Sequence, residues 1–239
     1  MARKVQYLVI SVATVLLAGA SQAQEVNLVG GRINLAYSEF TSDTSFAKAT
    51  LDGSMELGFG QNIGLQMDLG LNAFNAANEQ GTNVGLHGLY HVDQTTSLGA
   101  FYSVDTVEGT NTSLYGVEAG HSFGDGGVDG YLGQSSGDGS TATIFGLNGT
   151  VRFSDFGIGA SLDYTSVENV SLTRIGIQGS YRIGDMSKIY VEVGQLHGDI
   201  DGFGLDSESY VKLGATFNLG PKHGTTFGSR SLFNLIPGL

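Results

Sequence analysis

Charged side chains recur at every second position of several segments of this chain, between apolar neighbours. In the segment TLDGSMELGF, Asp52 and Glu56 alternate with Leu51 and Met55. Such a segment has one polar face, on which rows of carboxylates and basic groups can order water, bind ions and exclude apolar solutes. The charged residues that we assign to this polar face are Lys48, Asp52, Glu56, Asp68, Glu118, Arg152, Asp163, Arg174, Arg182, Lys188, Glu192 and Lys212.

The histidines and clustered carboxylates form no catalytic or metal-binding motif. His87 and His91 lie four residues apart, which on a strand separates them by about 13 Å, too far for one metal ion. The acidic segment GDIDGFGLD lacks the full spacing of an EF-hand loop. His121 lies on the apolar face near a strand end, where an interfacial position explains it better than catalysis. We therefore expect no enzyme activity, no cofactor and no metal.

Two-residue periodicity covers most of the chain and predicts an all-β protein. Both prolines among the 239 residues follow the last alternating segment, so none interrupts a sheet. The absence of cysteine excludes disulfides and thiolate metal sites. The alternating segments predict about 12 strands (range 10–14), at about 32–38, 46–59, 63–75, 83–92, 97–105, 112–123, 127–134, 141–153, 156–165, 171–183, 187–195 and 208–219.

The connections between these segments predict consecutive antiparallel hairpins. Short connections such as GQN and GDMS alternate with longer ones such as ANEQGT and VEGTNT. This alternation is typical of an up-and-down sheet, in which all short turns lie at one end. With an even strand number, both chain ends return to that same end.

The first residues differ from the rest of the chain. Arg3 and Lys4 precede an apolar run over 7–18, and small residues flank Gln22 before Gln24. A charged start, a run too short to span a membrane as a helix and a small-residue site indicate a signal peptide, cleaved after Ala23. The predicted organisation is a signal peptide at 1–23, a β-domain at 24–219 and a C-terminal tail at 220–239.

Alternation alone fits two architectures. In a secreted β-sandwich the apolar face points into a core, whereas in a membrane barrel it points to lipid and the polar face lines a lumen. The aromatic residues favour the barrel because they fall in two bands near the strand ends, as at the two interfaces of a membrane. Examples are Phe59, Phe153 and Phe217 in one band, and Phe74 and Tyr102 in the other.

The last alternating segment, YVKLGATFNL, carries a short motif. Lys212, Gly214, Phe217 and Leu219 resemble the C-terminal β-signal of Gram-negative outer-membrane β-barrels, a porin-like family: polar, x, Gly, x, x, aromatic, x, hydrophobic. The resemblance implies a transmembrane up-and-down antiparallel β-barrel in the outer membrane, with these four residues read by the barrel-assembly machinery. It departs from that family in the 20 residues after Leu219. Pro221 and the glycines favour a periplasmic tail, and the alternatives are a further strand over SRSLFNLI or a tail that plugs the lumen.

From this fold we expect a channel for passive diffusion of small polar solutes or ions. The twelve charged residues above would line the pore, and acidic loops would favour weak cation selectivity. The alternative is a non-conducting structural or surface-binding barrel in which these charges pair and brace the wall. The net charge of −12 excludes the basic footprint of a nucleic-acid-binding protein. The expected partners are outer-membrane lipid, the assembly machinery and the solutes.

Overall fold

The computed structural model describes residues 26–76, 78–200, 203–204, 207–221 and 224–237. The predicted signal peptide lies outside this part of the chain and stays a prediction. Among the described residues, no helix is long and apolar enough to cross a membrane. The strands are β1 (Val26–Phe40), β2 (Ala47–Phe59), β3 (Ile63–Phe74), β4 (Glu79–His91), β5 (Thr96–Val107), β6 (Thr110–Phe123), β7 (Gly126–Gly137), β8 (Ser140–Phe153), β9 (Phe156–Val167), β10 (Val170–Ile183), β11 (Ser187–Ile200), β12 (Phe203–Gly204) and β13 (Glu208–Leu219).

Twelve long strands form one closed antiparallel barrel. Strands β1 to β11 each pair with the next strand in the chain. β13 closes the ring because it pairs with β11 on one side and with β1 on the other, from Gly31–Leu219 to Phe40–Tyr210. The two-residue β12 pairs only with the last residues of β11, at one mouth of the barrel. The predicted all-β barrel of about 12 strands is confirmed.

The side-chain alternation decides which face looks outward. Leu71, Leu132 and Ile177 are 55, 55 and 60% exposed on the outside of the ring. Gln66 and Asp68 point inward and are buried. A closed ring with its apolar face outward leaves no second sheet for that face to pack against, so the sandwich alternative is wrong.

One end of the barrel differs from the prediction. The connections at 108–109, 138–139 and 168–169 are two-residue turns, whereas longer loops were expected there. Glu108 and Asp138 have positive φ angles of 49° and 48°, and the glycine after each also has a positive φ. Turns of this kind match the twist of paired strands. The flanking Thr and Ser residues therefore belong to the paired strands and not to a loop.

One aromatic residue was assigned to the wrong face. Phe74 was predicted to belong to an outward aromatic band, but it faces the interior and is 7% exposed. Its ring lies 5.4 Å from that of Phe233, a residue of the C-terminal segment. Tyr102 and Phe153 do point outward near the strand ends, at 52 and 61% exposure. Phe74 therefore packs inside the barrel, against a segment of the chain that is not one of the wall strands.

Candidate functional site

The interior of the barrel holds most of the charged residues predicted to line it. Ten of the twelve are buried inside or border internal cavities: Lys48, Asp52, Glu56, Asp68, Glu118, Asp163, Arg174, Lys188, Glu192 and Lys212. The other two, Arg152 and Arg182, lie at the short-turn end and pair with Asp125 and Asp155 of the turns, at 3.6 and 3.1 Å. The role of all twelve residues in permeation stays a prediction.

A second element fills part of the same interior. The tail, which we define as residues 224–237, runs along the lumen from the short-turn end to the opposite end. Near the short turns, the Thr226 amide donates to the Glu56 carboxylate at 2.7 Å. At the other end, the Ser38 hydroxyl donates to the Pro237 carbonyl. The predicted periplasmic location of the segment after Leu219 is therefore wrong for these residues, because their polar groups pair with the inner wall.

The wall is shaped to accept the rings of the tail. The Phe227 side chain is 1% exposed and lies against Gly99 and Gly120, where an added Cβ would come within 3.0 and 3.1 Å of its ring. A Cβ on Gly81 would come within 2.7 Å of Phe233. Glycine at these inward positions leaves the space that the two aromatic rings occupy.

Arg230 anchors the middle of the tail. Its guanidinium donates to Glu118 at 2.8 Å and to Asp129 at 3.3 Å, and it lies 4.4 Å from the centre of the Tyr131 ring. Its carbonyl accepts from the Ser103 hydroxyl at 2.7 Å. Arg230 is only 5% exposed, and a buried charge of this kind is tolerated only when paired in this way.

Further contacts fix the end of the tail. The Ser231 hydroxyl and the Leu232 amide donate to the two oxygens of Asp105, at 2.8 and 2.7 Å. The Lys48 ammonium donates to the Phe233 carbonyl and, at 2.5 Å, to the Ile236 carbonyl. These partners lie on β2 and β5, so the tail is held along its length and not only at Arg230.

His87 extends the network behind the anchor. Its Nδ1 lies 2.6 Å from Glu118 and its Nε2 lies 2.8 Å from Asp68, with all three side chains buried. Both ring nitrogens therefore lie within hydrogen-bond distance of a carboxylate oxygen, which fixes the orientation of the ring. In the described part of the chain, no group of three or more His, Asp or Glu side chains is arranged to hold a metal ion.

A small apolar cluster inside the barrel was missed in the sequence. Phe101, Leu114 and Ile144 face inward, are at most 4% exposed, and pack with Tyr131 and Leu232. The two-residue alternation of the sequence already places each of these three residues on the polar face of its strand. An apolar residue on a face that should contact water indicates a partner inside the lumen, and Leu232 of the tail is part of that partner.

The tail leaves one side of the lumen open. Its hydrogen bonds and ring contacts in the described structure are with β1 to β7. A cavity of about 420 Å³ lies on the other side of the tail, lined mainly by β8 to β13 and at its edges by residues of β1, β2 and β7. We call this space the free cavity. In it Arg174 donates to Asp163 at 2.5 Å and to Glu192 at 2.6 Å. The residues that also face this cavity include Arg32, Asp52, Lys188 and Lys212.

A wider vestibule opens at the short-turn end. It has a volume of about 680 Å³ and shares Asp129, Asn148 and Thr150 with the free cavity. Asp93 at its rim accepts hydrogen bonds from the Thr95 hydroxyl and from two backbone amides, which lowers the pKa of its carboxyl to about 2. The vestibule and the free cavity are therefore adjacent and share part of one polar wall.

Comparison with known families agrees with this geometry. A family model described as Gram-negative porin matches residues 84–228, which is more than half of the chain. The chain belongs to the Gram-negative porin family. The match begins in β4 and ends within the tail, at Gly228. No curated protein sequence matches the chain.

Solved porin structures share the fold at low sequence identity. A KdgM porin in complex with disordered oligogalacturonate is 16% identical, with a TM-score of 0.57 over 79% of this chain and 98% of that one. The NanC porin is 12% identical, with a TM-score of 0.59 over 80% and 99%. The COG4313 outer membrane channel from Pseudomonas putida F1 is 10% identical, with a TM-score of 0.57 over 84% and 98%.

Membership of the family establishes where this porin is located and what general type of protein it is. It is a porin-like protein of the outer membrane, in a family of channels for small solutes. The four residues of the predicted assembly signal lie in the closing strand β13. A Cβ on Gly214 would come within 2.4 Å of the Tyr190 ring, so glycine makes room for that ring inside the wall. Reading of this motif by the assembly machinery stays a prediction.

Proposed function

We propose that this porin lets small polar solutes and ions diffuse passively across the outer membrane, through the free cavity beside the tail. The observation that supports this most is the polar space that the vestibule and the free cavity form together. Its lining of charged and amide side chains keeps water in the path and disfavours apolar solutes.

The charges on the path support only weak ion selectivity. Carboxylates surround both mouths, for example Asp93 and Asp125 at the short turns and Glu108 and Asp138 at the opposite end. They raise the local cation concentration, as the sequence-based prediction of weak cation selectivity requires. The basic residues in the free cavity oppose this effect, so we propose a weak preference for cations.

A non-conducting barrel is the second candidate. The tail contacts seven of the twelve wall strands, from Ser38 on β1 to Asp129 on β7. If the tail and the ion pairs leave no continuous path, the same contacts brace a closed barrel. The charged groups around Arg174 would then act only in stability.

Swelling of proteoliposomes separates the two candidates. Purified protein in lipid vesicles is diluted into isotonic solutions of neutral sugars of increasing size. A channel gives swelling above that of protein-free vesicles, with a rate that falls as the sugar becomes larger. Swelling no faster than in protein-free vesicles for every solute rejects the channel and supports the closed barrel.

A further inference from the structure

The inner wall carries opposite charge on its two sides, and the tail lies on the acidic side. Carboxylates outnumber cations under the tail, where Glu56, Asp68, Asp105 and Glu118 lie with Lys48 and His87. Each of the four carboxylates is at most 4% exposed. The tail therefore separates these acidic groups from any water in the free cavity.

The tail covers these carboxylates through specific bonds and not by proximity alone. Glu56 accepts from the Thr226 amide, Asp105 accepts from Ser231 and Leu232, and Glu118 accepts from Arg230. Asp68 is reached indirectly, because Gln66 donates to Asp68 and to the Phe227 carbonyl. Glu56, Asp105 and Glu118 therefore each lose a tail donor if the tail moves, and Asp68 keeps Gln66, whose contact with the tail is lost.

On the opposite side of the lumen, basic side chains outnumber carboxylates. Along β8 to β13, the free cavity is lined by Arg174, Lys188 and Lys212 against Asp163 and Glu192. Both carboxylates are bound to Arg174. In the described structure, Lys188 and Lys212 have no ion-pair partner within 4.0 Å. A solute in the free cavity therefore meets the basic side directly. Asp52 and Asp129 also border this cavity, together with Arg32 and Arg230, so they do not reverse its balance of charge.

We propose that the C-terminal tail sets the ion preference of the channel, by covering the acidic wall and leaving the basic wall to face the permeating ion. The proposal rests on the proposed function, since it concerns the same path. When the tail leaves its seat, the carboxylates on β2 to β6 face water and the positive charge of Arg230 leaves the lumen centre. The preference then moves toward cations, and the wider lumen conducts more.

Full-length variants with an unseated tail test this directly. Phe227→Ser, Arg230→Gln and Phe233→Ser together remove the two rings and the anchoring charge but leave the wall intact. Leu235→Cys, added to this variant and to the unsubstituted tail, reports whether the tail has moved, because Leu235 is 4% exposed in the seated tail and the chain has no other cysteine. A bulky water-soluble thiol reagent should label the thiol introduced at residue 235 quickly in the triple variant and slowly in the parent.

The functional readout is the current through single channels in a planar bilayer with a salt gradient. In the triple variant we expect the conductance to roughly double and the cation-to-anion permeability ratio to rise about threefold, because charges that line a pore set its selectivity. Adding Glu118→Gln to the triple variant should reverse part of that rise. A decrease in the permeability ratio on this substitution shows that uncovered carboxylates, and not only a wider pore, cause the rise.

The outcomes separate the two proposals. A labelled tail with an unchanged permeability ratio overturns the role of the tail, and so does a rise that Glu118→Gln leaves intact. A triple variant whose residue 235 stays unlabelled shows that the seat does not depend on these contacts, and this also overturns it. If only the triple variant conducts, the tail is a plug, and both the open channel proposed for the parent and the ion preference assigned to its tail are wrong. If neither protein conducts, both proposals fail.

Discussion

Arg230 is the residue on which the position of the tail depends most. Its guanidinium is buried between Glu118, Asp129 and the Tyr131 ring. Removing one partner of a buried ion pair is costly because the other charge remains buried without compensation. The surface pairs of the same barrel, such as Arg152 with Asp125, lack this property because both side chains are more than half exposed.

Arg230→Met should loosen the tail without opening the barrel. Loss of a buried pair costs about 3 kcal/mol, which corresponds to a roughly hundredfold higher population of the unseated tail. The measurement is the rate at which a thiol reagent labels Leu235→Cys, with and without Arg230→Met. Arg152→Met is the matched control and should change this rate by less than about fivefold. Equal rates in both variants would contradict the assigned role of Arg230.

Asp93 should keep its negative charge at the vestibule rim down to low pH. Its folded pKa of about 2 lies below its ordinary value of 3.8 because the carboxylate accepts from Thr95 and Thr96. A lowered folded pKa stabilises the turn above pH 3.8, and this stabilisation is lost as the pH falls through about 2. A carboxyl chemical-shift titration by NMR checks this. A midpoint at or above 3.8 would show that these hydrogen bonds do not persist in solution.

At the scale of elements, the wall strands and the tail differ in how well the sequence predicts them. The wall repeats a two-residue pattern over a dozen segments, and lipid on one side enforces it at every position. The tail has no such pattern, because its partners are scattered over seven strands and its neighbours change along its length. The inward glycines and the inward Phe74, Phe101, Leu114 and Ile144 record its presence in the sequence of the wall.

Gly120→Val should push the tail out of its seat. The added side chain would enter the space of the Phe227 ring, since even a Cβ comes within 3.1 Å of it. Overpacking of this kind costs about 1–3 kcal/mol. We expect a higher single-channel conductance and faster labelling of Leu235→Cys.

Gly88→Ala is the control for that substitution. Gly88 lies on the outer face of β4, and an added Cβ there meets nothing within 4 Å. It should leave labelling and conductance as they are. If Gly120→Val behaves like Gly88→Ala, the Phe227 ring does not occupy the described seat.

For the whole molecule, the sequence predicted the closed ring and its outward apolar face, but not how much of the lumen is open. The strand number and the alternation follow from local patterns. The free cavity depends on how two parts of the chain divide one interior, and such a division has no local signal. Ten of the twelve predicted pore-lining residues lie inside the barrel and Arg152 and Arg182 lie at the short turns, while Lys48, Glu56 and Glu118 contact the tail. Their role in lining a pore stays a prediction.

A charge on the outer face should destabilise the barrel according to its depth. Ile177 lies in the middle of β10 and is 60% exposed, so Ile177→Lys places a charge in hydrocarbon. The expected cost is about 2–4 kcal/mol near the midplane. Ile183→Lys, at the end of the same strand, should cost only about 0–1 kcal/mol. Equilibrium unfolding by urea in lipid vesicles measures both, and equal costs would argue against a membrane around this face.

The most direct test of a water-filled path beside the tail is thiol modification during single-channel recording. Lys212→Cys places a thiol on the free cavity, and Leu213→Cys places one on the outer face of the same strand. We predict stepwise currents for both proteins, and a reduced current when a bulky water-soluble reagent reacts at residue 212 but not at residue 213. An absence of current steps, or a current that modification at residue 212 leaves unchanged, would contradict the path described here.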